Sequence, residues 1–187
     1  MNSNEKTVIF AGGCFWCVEH DLRALSGVTN VISGYSGGQK PNPTYAEFCS
    51  ETTGHRESVE VTYDPSLITF KKLCQFFLDH IDPTDNGGQF FDRGESYKTA
   101  IFYADDAEKE IAESLVEELD ESGLFTPKKV MVDILPKKPF YSAEDYHQNY
   151  AEKNPMHYEA YATGSGRVQF VAQTCDTRDQ KKIHWKD

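Results

Sequence analysis

The chain has 187 residues, which is enough for one domain with its own hydrophobic core. It carries 30 acidic and 19 basic residues, and the formal net charge of −11 argues against nucleic acid or an anionic membrane as a partner. The polar start, 1–6, and the short apolar run, 7–11, resemble neither a signal peptide nor a membrane span, so we expect a cytoplasmic protein. Nothing in the composition requires more than a monomer.

Hydrophobic periodicity predicts strands and helices that alternate along the chain. Strands are predicted at 7–10, 28–35, 57–63, 97–103 and 130–135, and helices at 14–25, 45–49, 70–80, after Asp105 and at 143–153. This order favours an α+β fold, a two-layer ferredoxin-like α/β sandwich with an additional helix, an additional strand and long loops. We expect a single domain over 1–187, in which 168–187 is a candidate mobile C-terminal tail.

A cysteine stands at the predicted start of the first helix, in the run GGCFWC. At that position the backbone N–H groups and the helix dipole favour a thiolate, so Cys14 is a candidate nucleophile with a lowered pKa. The alternative is an inert buried cysteine. Phe15 and Trp16, which follow directly, could line a pocket or belong to the core.

Cys17 makes the motif a Cys-x-x-Cys pair. Half of a zinc site is one interpretation, but no second cluster of ligands completes it, so no metal is expected and dithiol redox chemistry is favoured. A thioredoxin-like thiol–disulfide oxidoreductase also fits this pattern. Of the remaining cysteines, Cys49 and Cys74 are predicted to face the core, and Cys175 lies near the C-terminus.

Glu57 is predicted to be a buried carboxyl, because strand alternation places it on the same face as Val59 and Val61. In apolar surroundings its pKa should rise, so that it can act as a general acid. A structural ion pair with His55, Arg56 or a distant lysine is the alternative.

Polar and aromatic residues at loop–strand junctions complete the set of candidates. They are Tyr35, Tyr97, Asp92 and His147. A tyrosine at such a junction can donate a hydrogen bond into a pocket while it presents an apolar ring. Each of these signals is weak when taken alone.

Seven motifs in order resemble the A-type peptide methionine sulfoxide reductases. They are AGGCFWCVE, GYSGG, NPTY, TGHRESVEVTYDP, IDPTDNGGQFFDRGESYKTAIFY, FYSAEDYHQNY and KNP. Together they span nearly the whole chain, from Thr7 to about Arg167. The resemblance implies reduction of the S epimer of methionine sulfoxide, free or in proteins, as repair of oxidative damage.

The resemblance also implies roles for individual residues. Cys14 would be the nucleophile that becomes a sulfenic acid, and Glu57 the acid that protonates the sulfoxide oxygen. Tyr35 and Tyr97 would hydrogen-bond that oxygen, and Phe15 and Trp16 would hold the substrate methyl group. Asp92 and His147 match a pocket aspartate and a histidine near the site, although the family usually has Asn-Asp where this chain has Phe91-Asp92.

The thiol that resolves the sulfenic acid departs from the pattern of the family. Many members carry it shortly after the KNP motif, where this chain has Glu159. Cys17, Cys175 or an external thiol could replace it, with Cys17 favoured because it needs only local rearrangement. No bound cofactor is expected, and thioredoxin or another thiol would reopen the disulfide. A methionine-binding module without turnover is the alternative from another functional class.

Overall fold

A computed structural model describes residues 4–186 of the chain. Eight strands form, at Lys6–Ala11 (β1), Val28–Ser36 (β2), Arg56–Tyr63 (β3), Gly88–Gln89 (β4), Asp92–Arg93 (β5), Ala100–Tyr103 (β6), Asp133–Pro136 (β7) and Tyr141–Ser142 (β8). Seven α-helices form, at Phe15–Arg23 (α1), Tyr45–Cys49 (α2), Phe70–Asp79 (α3), Asp106–Glu121 (α4), Tyr150–Lys153 (α5), Pro155–Gly164 (α6) and Arg167–Lys181 (α7).

Six strands make one sheet in the order β7-β6-β1-β3-β2-β8, and β4 and β5 form a separate ribbon. The four central strands are mutually antiparallel, with α1 and α3 in the connections, as in a ferredoxin-like sandwich. The helix α4 leads to β7, which extends the sheet parallel to β6. The predicted α+β sandwich with an additional helix and strand is therefore confirmed.

The core lies between the sheet and the helices, because strand residues alternate between its two faces. Val8 and Phe10 of β1 point into the main cluster, where Phe10 stacks on Phe77 of α3 with ring centroids 4.7 Å apart. Ile9 and Ala11 point to the other face and join a smaller cluster there. This packing fixes the end of β1, and the turn that follows it.

Three predicted elements differ from the structure. Tyr97 lies in a 3₁₀ turn, and the strand predicted at 97–103 begins at Ala100. The strand predicted at 130–135 begins at Asp133. The N–H of Met131 donates to the carbonyl of Pro83, which lies in a loop, and so is not available to a neighbouring strand. In the segment 143–153 only α5 is helical, since Asn149 adopts a left-handed φ of 53°.

The last segment of the chain, predicted as a mobile tail, forms most of α7 and the residues after it. Arg178 pairs with Asp79 of α3, and the Trp185 indole N–H also donates to Asp79. The predicted mobility stays a prediction, and Asp187 lies outside the described residues. No helix within 4–186 is long and apolar enough to cross a membrane.

Candidate active site

Cys14 stands at the corner between β1 and α1, where it is the N-cap residue of the helix. Its carbonyl accepts hydrogen bonds from the N–H groups of Cys17, at 3.2 Å, and Val18, at 3.3 Å. Gly13 before it has a φ of +78°, a conformation that side chains rarely adopt. The turn thus holds the Cys14 side chain beside β3, where it is 8% exposed.

Glu57 projects from β3 and is 4% exposed. Its Oε2 accepts a hydrogen bond of 3.0 Å from the main-chain N–H of Phe15, which ties the carboxyl to the residue after Cys14. Burial raises the pKa of Glu57 to about 8; this hydrogen bond opposes the rise, and the charges of Asp92 and Cys17 add to it. Glu57 is therefore largely protonated at neutral pH.

The two neighbours of Glu57 that could have paired with it bond elsewhere. Arg56 forms an ion pair with Asp133, at 2.6 Å. The His55 ring bonds the main chain at Gly38 and Lys40. The alternative interpretation, in which Glu57 forms an ion pair with His55 or Arg56, is thus wrong.

Cys14 and Cys17 form a pair of buried thiols that share a hydrogen bond. Burial raises the pKa of the Cys14 thiol, and Cys17 and the nearby carboxyls raise it further. The prediction of a lowered pKa at the helix start is therefore wrong, because burial of the thiol disfavours its charge. The bond from Cys14 lowers the pKa of Cys17, with burial opposing and the charge of Arg167 assisting.

Aromatic rings form one wall beside this pair. Phe15 is buried and packs on Tyr35 and on His147, whose ring centroid is 5.0 Å away. The Trp16 indole N–H donates to Nδ1 of His147 at 3.2 Å, and its ring stacks on Tyr150 at 3.8 Å. With Nδ1 accepting, His147 carries its proton on Nε2, a buried donor without a partner in the described part of the chain.

The predicted tyrosines surround Glu57. Tyr35 is paired with Glu57 across β2 and β3, and its hydroxyl donates to Glu144 at 3.0 Å. Burial and the charge of Glu144 raise the pKa of Tyr35, and burial and the charge of Glu57 raise that of Tyr97. Both phenols therefore stay protonated. Tyr35 already gives its proton to Glu144, so only a change of that bond would let it donate near Glu57.

Asp92 bonds a residue that the sequence did not single out. The Tyr161 hydroxyl of α6 donates to Asp92 Oδ2 and also hydrogen-bonds Cys14. Burial raises the pKa of Asp92, while Tyr161 and the charge of Arg167 lower it. Helix α6 thereby covers the thiol pair: Ala162, Tyr158 and Tyr161 all pack against it.

The other cysteines lie apart from this pair. Cys74 is buried, as predicted, whereas Cys49 is exposed, so the prediction that Cys49 faces the core is wrong. Cys175 is exposed on α7, roughly two turns beyond Arg167. Within residues 4–186, no group of three or more His, Cys, Asp or Glu side chains is arranged to hold a metal ion.

Comparison with known proteins identifies the family. A family model described as peptide methionine sulfoxide reductase matches residues 6–179. Peptide methionine sulfoxide reductase MsrA of Bacillus subtilis is 50% identical over 173 residues, 92% of this chain and 97% of its own. The chain belongs to the A-type peptide methionine sulfoxide reductases. The family prediction and the assignment as an oxidoreductase are thus confirmed. The family match favours a sulfoxide reductase over the two alternatives, a general thiol–disulfide oxidoreductase and a methionine-binding module.

Solved structures share the fold. Mxr1 from Saccharomyces cerevisiae in reduced form is 31% identical and has a TM-score of 0.76, covering 83% of this chain and 88% of that one. Mxr1 in complex with Trx2 is 25% identical with a TM-score of 0.56, covering 81% of this chain and 88% of that one.

For this sulfoxide reductase, the structure brings most of the predicted site residues into one cluster and adds others. Cys14, Glu57, Tyr35, Tyr97, Phe15, Trp16, Asp92, His147 and Cys17 all belong to it, whereas Cys175 does not. Sequence reasoning missed Tyr158, Tyr161 and Arg167, which lie after the last recognised motif. A helix predicted at the position of α6 is the one sequence signal that could have pointed to these residues.

Proposed function

We propose that the enzyme reduces the S epimer of methionine sulfoxide, free or in proteins, with Cys14 as nucleophile and Glu57 as acid. The observation that carries this is the buried Glu57 carboxyl, held by the Phe15 N–H beside Cys14, whose pKa burial raises. A sulfoxide sulfur is a poor electrophile until its oxygen is protonated or strongly hydrogen-bonded. A buried neutral carboxyl supplies that proton at neutral pH.

The first half of the reaction transfers oxygen from the substrate to Cys14. Glu57 protonates the sulfoxide oxygen while the Cys14 sulfur attacks the sulfoxide sulfur. Tyr97 is a further donor to that oxygen, and Tyr35 becomes one when its hydroxyl turns from Glu144 to the substrate. The oxygen then passes to the Cys14 sulfur: a new S–O bond forms on Cys14, the substrate S–O bond and the S–S bond made in the attack break, and methionine leaves with Cys14 as a sulfenic acid. The proton lost by the Cys14 thiol replaces the one that Glu57 gave.

The wall of Phe15 and Trp16 is proposed to hold the substrate methyl group, with Asp92 and His147 at its edge. Methyl, oxygen and attacking sulfur then each have a fixed direction around the sulfoxide sulfur. Only one configuration at that centre satisfies all three, which supports reduction of a single epimer.

Cys17 is proposed as the resolving thiol. Its hydrogen bond to Cys14 and its place one helical turn away support this choice, while Cys175 is exposed on another helix. The sulfenic acid and the Cys17 thiol condense to a disulfide and water. An external thiol then reopens the disulfide, and thioredoxin is the proposed reductant, supported by the solved complex of the relative Mxr1 with Trx2.

We further propose that the enzyme works as a monomer in the cytoplasm, without a bound cofactor or metal. A reducing compartment suits a chain in which Cys14, Cys17, Cys49, Cys74 and Cys175 are all free thiols.

Turnover of the separated S and R epimers of a methyl sulfoxide substrate, with dithiothreitol as reductant, tests the proposal. We expect activity on the S epimer alone, none in Cys14→Ser, and a loss of about 100-fold or more in Glu57→Gln. Full activity in Cys14→Ser would overturn it.

The resolving thiol is tested with thioredoxin as reductant. Cys17→Ser should stop turnover after about one equivalent of methionine per enzyme, while Cys175→Ser serves as the matched control and should turn over normally. Unchanged turnover in both variants would instead indicate an external thiol.

A further inference from the structure

A buried guanidinium reaches the face of α1 that carries Cys17. Arg167, the first residue of α7, is 7% exposed and pairs with Asp21 through Nη2 and Oδ2, 2.9 Å apart. Asp21 follows Cys17 by four residues on α1, so the two side chains lie on the same face of that helix. An isolated buried cation is costly, and among residues 4–186 one carboxylate alone is bonded to it directly.

The charges around Arg167 indicate that it interacts electrostatically with the Cys17 thiol as well as with Asp21. Burial opposes its charge, but the Cys17 thiolate and then Asp21 raise the pKa of Arg167. Arg167 in turn lowers the pKa of Cys17. The ring of Phe90 lies 5.7 Å from the guanidinium carbon and covers it. Asp21 and Phe90 thus hold Arg167 in one place, on the face of α1 that carries Cys17.

Tyr158 contacts the same sulfur from α6. Its phenol hydrogen-bonds Cys17, and it packs with Ala162 against the thiol pair. The titratable groups that face Cys17 are Cys14 and Asp21 on α1, Glu57 on β3, Tyr158 on α6 and Arg167 on α7. Arg167 is the one permanent cation among these groups and so balances the charge of a thiolate there. His20, three residues after Cys17 on α1, packs on Tyr158 with ring centroids 5.0 Å apart.

We propose that Arg167 and Tyr158 are positioning residues that hold the Cys17 sulfur as a thiolate beside Cys14 for the resolving step. The inference rests on the proposed function, which assigns that step to Cys17. The Cys17 thiolate attacks the Cys14 sulfur, the S–S bond forms and the S–O bond breaks. The hydroxyl leaves as water with the proton that the Cys17 thiol had given up; Cys17 is oxidised and Cys14 reduced.

The charge effect is measured in the full chain with Cys14→Ser, where Cys17 is the remaining thiol of the pair. The ultraviolet absorbance of the thiolate is measured against pH in this variant and in Cys14→Ser/Cys17→Ser. The difference between the two curves is the titration curve of Cys17. Adding Arg167→Met should raise the midpoint by about one pH unit, which lowers the thiolate fraction about tenfold at lower pH. Arg167→Lys should restore most of it, and Tyr158→Phe should give a smaller rise.

Arg178 provides a matched control. It lies on the same helix, is 12% exposed, and pairs with Asp79 of α3 as Arg167 pairs with Asp21 of α1. Arg178→Met should therefore cost a similar ion pair without moving the Cys17 midpoint. Equal midpoints with and without Arg167, in variants whose thermal unfolding shows that they are folded, would overturn the inference.

A kinetic measurement separates the inference from the proposed function. After one equivalent of sulfoxide, disulfide formation in the otherwise unchanged chain should be about tenfold slower in Arg167→Met, and Arg178→Met should match the unchanged chain. An unchanged rate in Arg167→Met overturns the role of Arg167. A Cys17→Ser variant that still forms an intramolecular disulfide overturns the proposed function at its resolving step instead.

Discussion

At the scale of single residues, Glu57 links the chemistry of the site to the stability of the fold. Its pKa is about 8 in the folded protein, raised chiefly by burial, whereas an unfolded chain has the ordinary value near 4.5. Between these two values the folded state binds one more proton than the unfolded state. Stability therefore falls as the pH rises through this window, and acid favours the fold.

Glu57→Gln should remove this dependence, because glutamine keeps the shape of a neutral carboxyl and does not titrate. From about pH 5 to about pH 8, the unchanged protein should lose up to about 1.4 kcal/mol of unfolding free energy per pH unit relative to the variant. Urea unfolding under reducing conditions measures this. Glu60→Gln, three residues beyond Glu57 on β3 and half-buried, is the control and should keep the unchanged slope.

Much of this residue-scale picture could be predicted locally. The alternation of β3 placed Glu57 among buried valines, and burial raised its pKa as expected. The pKa of Cys14 could not be predicted in the same way. Its helix position is local, but the desolvation that dominates arises from α6 and from side chains distant in sequence.

At the scale of elements, the turn between β1 and α1 depends on a glycine for two reasons. Gly13 has a φ of +78°, and a Cβ there would lie 2.4 Å from Cβ of Gln89. Gln89 cannot move aside easily, because its side-chain amide bonds the main chain of Asp82 at both ends. The nucleophile and the Gln89 loop are thus fitted to each other.

Gly13→Ala should therefore destabilise the protein by about 1–3 kcal/mol and lower the turnover of sulfoxide, since Cys14 is displaced from Glu57. Gly164→Ala is the matched control, because no atom lies within 4 Å of a Cβ built there. It should be neutral or add about 0.5 kcal/mol. Chemical denaturation and activity measured on both variants check this, and a Gly13→Ala variant as stable and active as the control would contradict it.

The elements that sequence reasoning misjudged lie where side chains replace the regular backbone pattern. The Gln148 amide accepts from the Ser33 N–H at 2.9 Å and donates to the Ser33 carbonyl at 2.8 Å, so it bonds the edge of β2 instead of continuing a helix. The N–H of Val130 bonds the Asp120 carboxylate in a similar way. Periodicity cannot report such bonds, because each joins a main-chain group to a side chain outside its own element, 115 residues away for Ser33 and 10 residues away for Val130.

At the scale of the whole molecule, the C-terminal helices close over a ferredoxin-like core. The central strand order followed from the sequence of strands and helices, since that connection pattern has few compact solutions. The closure did not, because Tyr161 reaches Asp92 across 69 residues of sequence and Arg167 reaches Asp21 across 146. The site therefore combines a motif that is local in sequence, around Cys14, with residues of α6 and α7 that only the tertiary fold brings to it.

The placement of both thiols in one helical turn also has a consequence for the speed of the catalytic cycle. The N–H of Cys17 bonds the carbonyl of Cys14, and Cβ atoms at this spacing lie about 5–6 Å apart in a helix against about 3.8 Å in a disulfide. Only the first turn of α1 must tighten. The rate of disulfide formation after a single turnover should then be independent of solvent viscosity, measured by rapid mixing in sucrose solutions. A rate that falls in proportion to viscosity would mean that a distant segment, such as the one bearing Cys175, must diffuse to Cys14. A constant rate means that the Cys14 sulfenic acid is as short-lived in crowded solution as in dilute buffer.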